Sequence, residues 1–215
     1  MPARERTATS GRPRQTQAAR RARSRAALLE ATARGLSRVG YGNLVLEEVA
    51  AEAGYTRGAL YHQFRDKEAL VLATLEWVHE TWYAEVGSVF VEDRPPVEAL
   101  VELARRHAVY CRRDIARMMV ALRVEFSSRD HPLGDAVRRE MAELVERVRK
   151  LIAAGRRDGS IPPGPPAKVL AAACLAAVEA AVIALAGRVD DDEEVAQRVA
   201  LGLLNAAGAE VRRGS

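Results

Sequence analysis

Apolar residues recur at three- and four-residue intervals along almost the whole chain, and over no useful length do they alternate every second residue. Leu28, Thr32, Leu36 and Val39 form one stripe; Leu72, Leu75, His79, Trp82, Val86 and Val89 form another. A period near 3.6 gathers side chains on one helix face, whereas a half-buried strand needs a period of two. The chain is thereby confined to an all-α fold. Its 215 residues are 48% hydrophobic, enough for a sizeable core, and rich in the alanine, leucine, arginine and glutamate that favour helix.

Chain breaks divide the stripes into elements. A first helix is expected from Ala18 to Val39, ended by Gly40, where glycine relieves a left-handed cap. Leu46 to Ala53 predicts a short helix stopped by Gly54, and Thr56 opens another from Arg57 to Phe64. Asp66 is a good N-cap for a long fourth helix ending near Phe90. After Pro95-Pro96 come Val97 to Arg112, Asp114 to Phe126 and Leu133 to Arg157. The Pro- and Gly-rich stretch Ile161 to Pro166 breaks the chain again. An apolar helix, Ala167 to Ala186, and a last helix, Asp191 to Val211, complete the series.

Charge is distributed unevenly. The formal net charge is only +4, yet Arg4, Arg6, Arg12, Arg14, Arg20, Arg21, Arg23 and Arg25 crowd the start, with Glu5 the only acid before Glu30. Residues 1–17 are expected to be a disordered basic arm suited to tracking phosphates. Within it Gly11-Arg12-Pro13-Arg14 resembles the minor-groove core of an AT-hook. The polar start lacks the apolar core of a signal peptide, and two distant cysteines, Cys111 and Cys174, fit buried thiols in a reducing cytoplasm. Val169 to Ala186 is apolar except for Glu179, but its alanine content favours burial in a subunit interface over a membrane span.

The segment Leu46 to Phe64 is the most informative. It describes two short helices joined by a tight turn at Gly54, with Ala50 small enough for a close crossing. Val49, Ala53, Leu60 and Phe64 form an inner face, and Thr56 can cap the second helix through its hydroxyl. Gly58, Tyr61, His62 and Arg65 then fall on the outer face, with Arg57 beside them. One glycine that lets the backbone approach, polar tips and arginines suit entry into a DNA major groove.

The run from Ser24 to Leu75 resembles the DNA-binding domain of the TetR family of bacterial regulators. The matching marks are Leu28-Leu29, Gly40-Tyr41, Val49-Ala50, Ala53-Gly54, Thr56-Arg57-Gly58, Leu60-Tyr61, Phe64, Lys67-Glu68 and Leu70, in order and without a gap. The resemblance implies an N-terminal three-helix helix-turn-helix domain, residues 18–66, and a C-terminal helical ligand-binding and dimerisation domain, residues 67–215. It implies that Thr56, Tyr61 and Lys67 contact phosphates and that Arg57 and His62 read bases. Three positions depart from the pattern: Val45 where a capping Ser or Thr is usual, Gly35 for a leucine, and Tyr55 for a small aliphatic residue.

For the remainder of the chain the resemblance implies a homodimer of cytoplasmic repressors bound to double-stranded operator DNA and released by a small molecule. The last two helices would pair with their mates through Ala172, Ala173, Ala176, Ala177 and Ala180, with Leu201, Leu203 and Leu204 filling the interface. Helices four to seven would enclose a cavity lined by Trp77, His79, Trp82, Tyr83, His107, Tyr110, Met118, Met119 and Phe126. Such a lining favours an apolar or aromatic effector. An enzyme is not expected, and neither is a cofactor or a metal. Glu76 and His79 make only half of a di-iron carboxylate pattern, and no Gly-rich phosphate loop, nucleophile elbow or Cys/His cluster occurs. The alternatives are an architectural or constitutive DNA binder without effector, and a redox-sensing regulator using Cys111 beside Arg112 and Arg113.

Overall fold

The computed structural model describes residues 16–128, 130–185 and 191–205. The arm and its Gly11-Arg12-Pro13-Arg14 run lie outside these residues, as does the end of the last helix expected to reach Val211. Among the described residues the structure is helical, without strands: α1 (Gln17–Val39), α2 (Leu46–Glu52), α3 (Arg57–Tyr61), α4 (Lys67–Glu85), α5 (Pro96–Cys111), α6 (Met118–Phe126), α7 (Pro132–Asp158), α8 (Ala167–Ala184) and α9 (Asp192–Asn205). Short 3-10 turns at Gly87–Phe90 and Asp114–Arg117 lead into α5 and α6.

Helix ends follow local chemistry. The side chains of Thr16, Thr56 and Asp66 accept from the N–H groups of Ala19, Ala59 and Ala69, satisfying donors that a first turn leaves open. Val45 offers no such bond, so α2 starts uncapped, with Glu47 and Glu48 in its first turn to favour the positive end of its dipole. Gly54 sits at φ +77°, a left-handed conformation that a side chain would resist. α3 is shorter than the expected Arg57 to Phe64: it ends at Tyr61, and Phe64 N–H still reaches the Leu60 carbonyl at 2.9 Å as the chain turns toward the Asp66 cap.

Gly35 has a packing reason. A Cβ there would stand 2.7 Å from Leu44 Cδ1, so the missing side chain makes room for a leucine from the following loop. Tyr55, half-buried, packs against the same core. Arg34 and Arg38 on α1 bind Glu52 at 2.7 and 2.5 Å and tie α1 to α2.

Two large apolar clusters and a small one hold the molecule together. The first contains Leu28, Leu36, Val49, Leu60 and Phe64 and continues across residue 66 through Leu70, Leu75 and Val78 to Met118, Leu122, Phe126 and Leu133. The second joins Leu100, Leu103 and Tyr110 of α5 to Val148 and Ile152 of α7, Leu170 and Cys174 of α8 and Leu204 of α9. The third closes α5, α8 and α9 around Ala108, Val182 and Ala196. Arg112 anchors the start of α9 by binding Asp192 at 2.8 and 3.0 Å and Glu193 at 3.0 Å.

Candidate nucleic-acid interface and ligand cavity

α2 and α3 cross over Ala50, and the turn between them is closed by Tyr55 N–H on the Ala50 carbonyl at 2.8 Å. Leu60 and Phe64 point inward and are buried. That leaves Thr56, Arg57, Gly58, Tyr61, His62 and Arg65 exposed together on one outer surface. Arg57 reaches Glu47 at 2.7 Å and lies 5.3 Å from the centre of the Tyr61 ring. His62 caps the end of α3. Lys67 is placed differently. Its Nζ is 3.4 Å from the Gly42 carbonyl and 4.6 Å over the Tyr41 ring, and burial pulls the ammonium below the ordinary lysine range, opposed by nearby Glu125.

Glu125 links this region to the rest of the chain. From the end of α6 its carboxylate accepts the N–H groups of Tyr41 (2.7 Å) and Gly42 (2.8 Å) in the loop after α1. Such charge-assisted bonds are among the stronger hydrogen bonds in proteins.

A cavity of about 280 Å³ lies among α4, α5, α6, α7 and α8. Trp82 and Tyr83 meet edge to face, ring centres 5.0 Å apart, and His79 packs 4.4 Å from Tyr83. Trp82 donates its indole N–H to His107 Nδ1 at 3.1 Å. Indole only donates, so Nδ1 carries no proton and the neutral ring holds its proton on Nε2, 3.5 Å from Cys111 Sγ. Burial keeps His107 below its usual pKa, consistent with that neutral form. The Tyr110 hydroxyl is held by Thr81 at 2.9 Å. Two acids also face the cavity: Glu140 of α7, in contact with His79, and Glu179 of α8, in contact with Arg123. Burial raises the Glu140 pKa against the pull of His79.

Comparison with known proteins decides what kind of molecule this is. Residues 28–74 match the family model for bacterial regulatory proteins of the tetR family, and residues 97–203 match the tetracyclin repressor-like C-terminal domain. The chain belongs to the TetR family. The HTH-type transcriptional regulator RutR of Escherichia coli K12 is 28% identical over 137 residues, 64% of this chain and 64% of RutR. The regulator TtgR of Pseudomonas putida is 41% identical over 58 residues, 27% of this chain and 28% of TtgR. The chain thus matches less than two thirds of the length of either relative. A TetR regulator from Chloroflexus aurantiacus superposes with a TM-score of 0.73 at 21% identity, covering 91% of this chain and 99% of that one. AibR, solved with isovaleryl coenzyme A and operator DNA, gives 0.68 at 21% identity over 85% and 98%. At these identities the superpositions establish the fold.

This TetR-family chain brings six of the nine expected lining residues to the cavity: His79, Trp82, Tyr83, His107, Tyr110 and Met119. Trp77, Met118 and Phe126 are elsewhere. Trp77 packs against the first core, Met118 is fully buried in it, and Phe126 is spent on Tyr41 and His131, ring centres 5.5 and 4.6 Å away. Glu140, Met141, Leu144, Glu179 and Val182 line the cavity without having been anticipated. Glu140 interrupts the apolar stripe of α7, and Glu179 is the lone acid of α8, which are the signals that mark them.

The α8 residues Ala172, Ala173, Ala176 and Ala180 are exposed on one face, which Val169 (57% exposed) and Ile183 (49%) extend. Ala177 and Leu201 are half-buried. Leu204 corrects the expectation: at 2% exposure it fills the second core of its own chain, and Leu203 packs beside it. α8 is also long and apolar enough to cross a membrane by length and composition, but Leu170, Cys174, Val178 and Val182 turn inward against its neighbours. The redox reading fares poorly, because burial pushes the Cys111 thiol up to about 12 and the Cys174 thiol to about 11, away from the reactive thiolate. His79 meets Glu140 of α7 rather than completing a metal set with Glu76.

Proposed function

We propose that the protein is a homodimeric, ligand-responsive repressor that works in the cytoplasm. Two copies of the outer surface formed by Thr56, Arg57, Gly58, Tyr61 and His62 enter successive major grooves of a palindromic operator. Arg57 and His62 read bases, while Thr56, Tyr61 and Lys67 position the helix on phosphates. A small, largely apolar molecule in the cavity releases the DNA. The exposed α8 face provides the pairing surface.

One observation carries the sensing part of this reading: Val78 belongs both to the cavity wall and to the apolar core that packs under Leu60 and Phe64. Close-packed interiors transmit displacement, so a ligand that shifts α4 at Val78 and Trp82 also shifts the support of α3. α6 gives a second connection, with Met119 and Val120 in the wall and Glu125 on the loop after α1. By linkage, a ligand preferring the shifted state lowers DNA affinity by the same coupling free energy, typically about 1–3 kcal/mol. The solved AibR complex, with both an acyl coenzyme A and operator DNA, supplies a precedent within the fold.

The test selects operator sequences from random DNA with the full-length protein, then measures affinity for the selected site and for scrambled DNA. Tight binding to a palindrome, weakened by compounds that alter tryptophan fluorescence, is the expected result. Failure to select any sequence refutes the operator reading. A selected site whose affinity no cavity ligand changes leaves a constitutive repressor.

A further inference from the structure

Among the described residues, both acids of the cavity wall have partners. Glu140 meets His79, Glu179 meets Arg123, and His107 is neutral and already accepts from Trp82. Arg117, in the turn that leads into α6, lines the same cavity. It is exposed and makes no ion pair or hydrogen bond with another side chain among the described residues. Of the lining residues, Arg117 and Ile183 are exposed; Ile183 belongs to the α8 face proposed for pairing, so Arg117, on the turn before α6, marks the mouth. The interior beyond is apolar and aromatic, walled by Trp82, Tyr83, Met119 and Met141. Among the described residues, Arg117 therefore stands unpaired at the entrance to an apolar space whose two acids already have partners.

Resting on the effector reading above, we propose that the ligand is a compact amphipathic acid: its carboxylate seats on the Arg117 guanidinium at the mouth, and its apolar or aromatic body fills the space against Trp82 and Met119. A guanidinium presents a planar fork that matches a carboxylate in two parallel hydrogen bonds. An organic cation would meet the charge of Arg117 and find both acids already engaged. The cavity volume of about 280 Å³ lies at the small end of the range for small-molecule sites, roughly 300–1,000 Å³, which suits one ring with a short arm or a medium alkyl chain.

The probes are two matched pairs, phenylacetate with phenylacetamide and octanoate with octanamide, titrated into the full-length protein. Trp82 lies in the wall, so tryptophan fluorescence reports occupancy, while affinity for the selected operator is followed in the same samples. At least one acid is expected to bind tenfold or more tightly than its amide. Arg117→Gln should abolish that preference by weakening the acid alone, and Arg117→Lys, which keeps the charge without the fork, should hold an intermediate preference. Amides that bind as well as acids, a preference that survives in Arg117→Gln, or no binding by any of the four overturns the proposal. The two readings fail separately. Amides that release operator as well as acids sink the anion assignment and keep the effector site. An Arg117-dependent acid that leaves operator affinity unmoved keeps the acid site and sinks its regulatory role.

Discussion

Arg57 is engaged before any DNA arrives. Its guanidinium is held by Glu47 at 2.7 Å and by the Tyr61 ring, and both arginine and glutamate are largely solvent-exposed. An exposed pair of this kind contributes about 0–1 kcal/mol, so exchanging Glu47 for a guanine edge costs little. Arg57→Ala is expected to relax preference at particular operator bases, as measured on a panel of single-base variants. Lys67→Ala should instead weaken cognate and random DNA alike and make the salt slope shallower by about one unit. Equal behaviour of the two variants across the panel would refute the division into reader and positioner. Cys111 belongs at this scale too. With its thiol pushed up to about 12, iodoacetamide at pH 8 should label it far more slowly in the native protein than in urea, and peroxide should leave operator binding unchanged.

Among elements, α6 has a role that its length of nine residues does not suggest. Its first turn walls the cavity, its inner face enters the first core, and its last turn places Glu125 on two backbone N–H groups of the helix-turn-helix half. Glu125→Ala strips those donors of their acceptor and should lower stability by about 1–3 kcal/mol in thermal or urea melts. The ligand-induced change in operator affinity should shrink with it; a variant with full ligand response would leave α4 as the sole connection. The helices themselves were legible because each break has a chemical cause: glycine at 40 and 54, Pro95-Pro96, and the proline-rich turn before α8. Outward residues of α3 were legible for the same reason, since Leu60 and Phe64 fix the inward face. Periodicity cannot say which neighbour a buried face meets. Met118 and Phe126 therefore read as well for the cavity as for the core; α7 was expected as a wall without its lining residues, and the contribution of α8 went unseen. The Glu125 bond joins residues more than eighty positions apart, a separation that no local pattern encodes.

At the scale of the whole molecule, the proposed dimer requires two recognition helices spaced to meet successive grooves, about 34–36 Å apart or a larger distance matched to deformed DNA. The exposed alanine face of α8 allows the close helix approach such a dimer needs, flanked by Val169 and Ile183. Ala176→Arg should place an unpaired charge in that contact and yield monomers by light scattering, with operator affinity lost in parallel. A dimer that survives the substitution would move the pairing surface off α8. The first apolar core bears on a different matter. Because it runs from Leu28 and Phe64 into Ile115, Met118, Leu122 and Leu133, the helix-turn-helix has no complete interior of its own. Excised as residues 18–66, it should show little helix by circular dichroism. Anyone grafting a foreign DNA reader onto this sensor, or this reader onto another, would have to carry the matching surfaces of α4, α6 and α7 along with it.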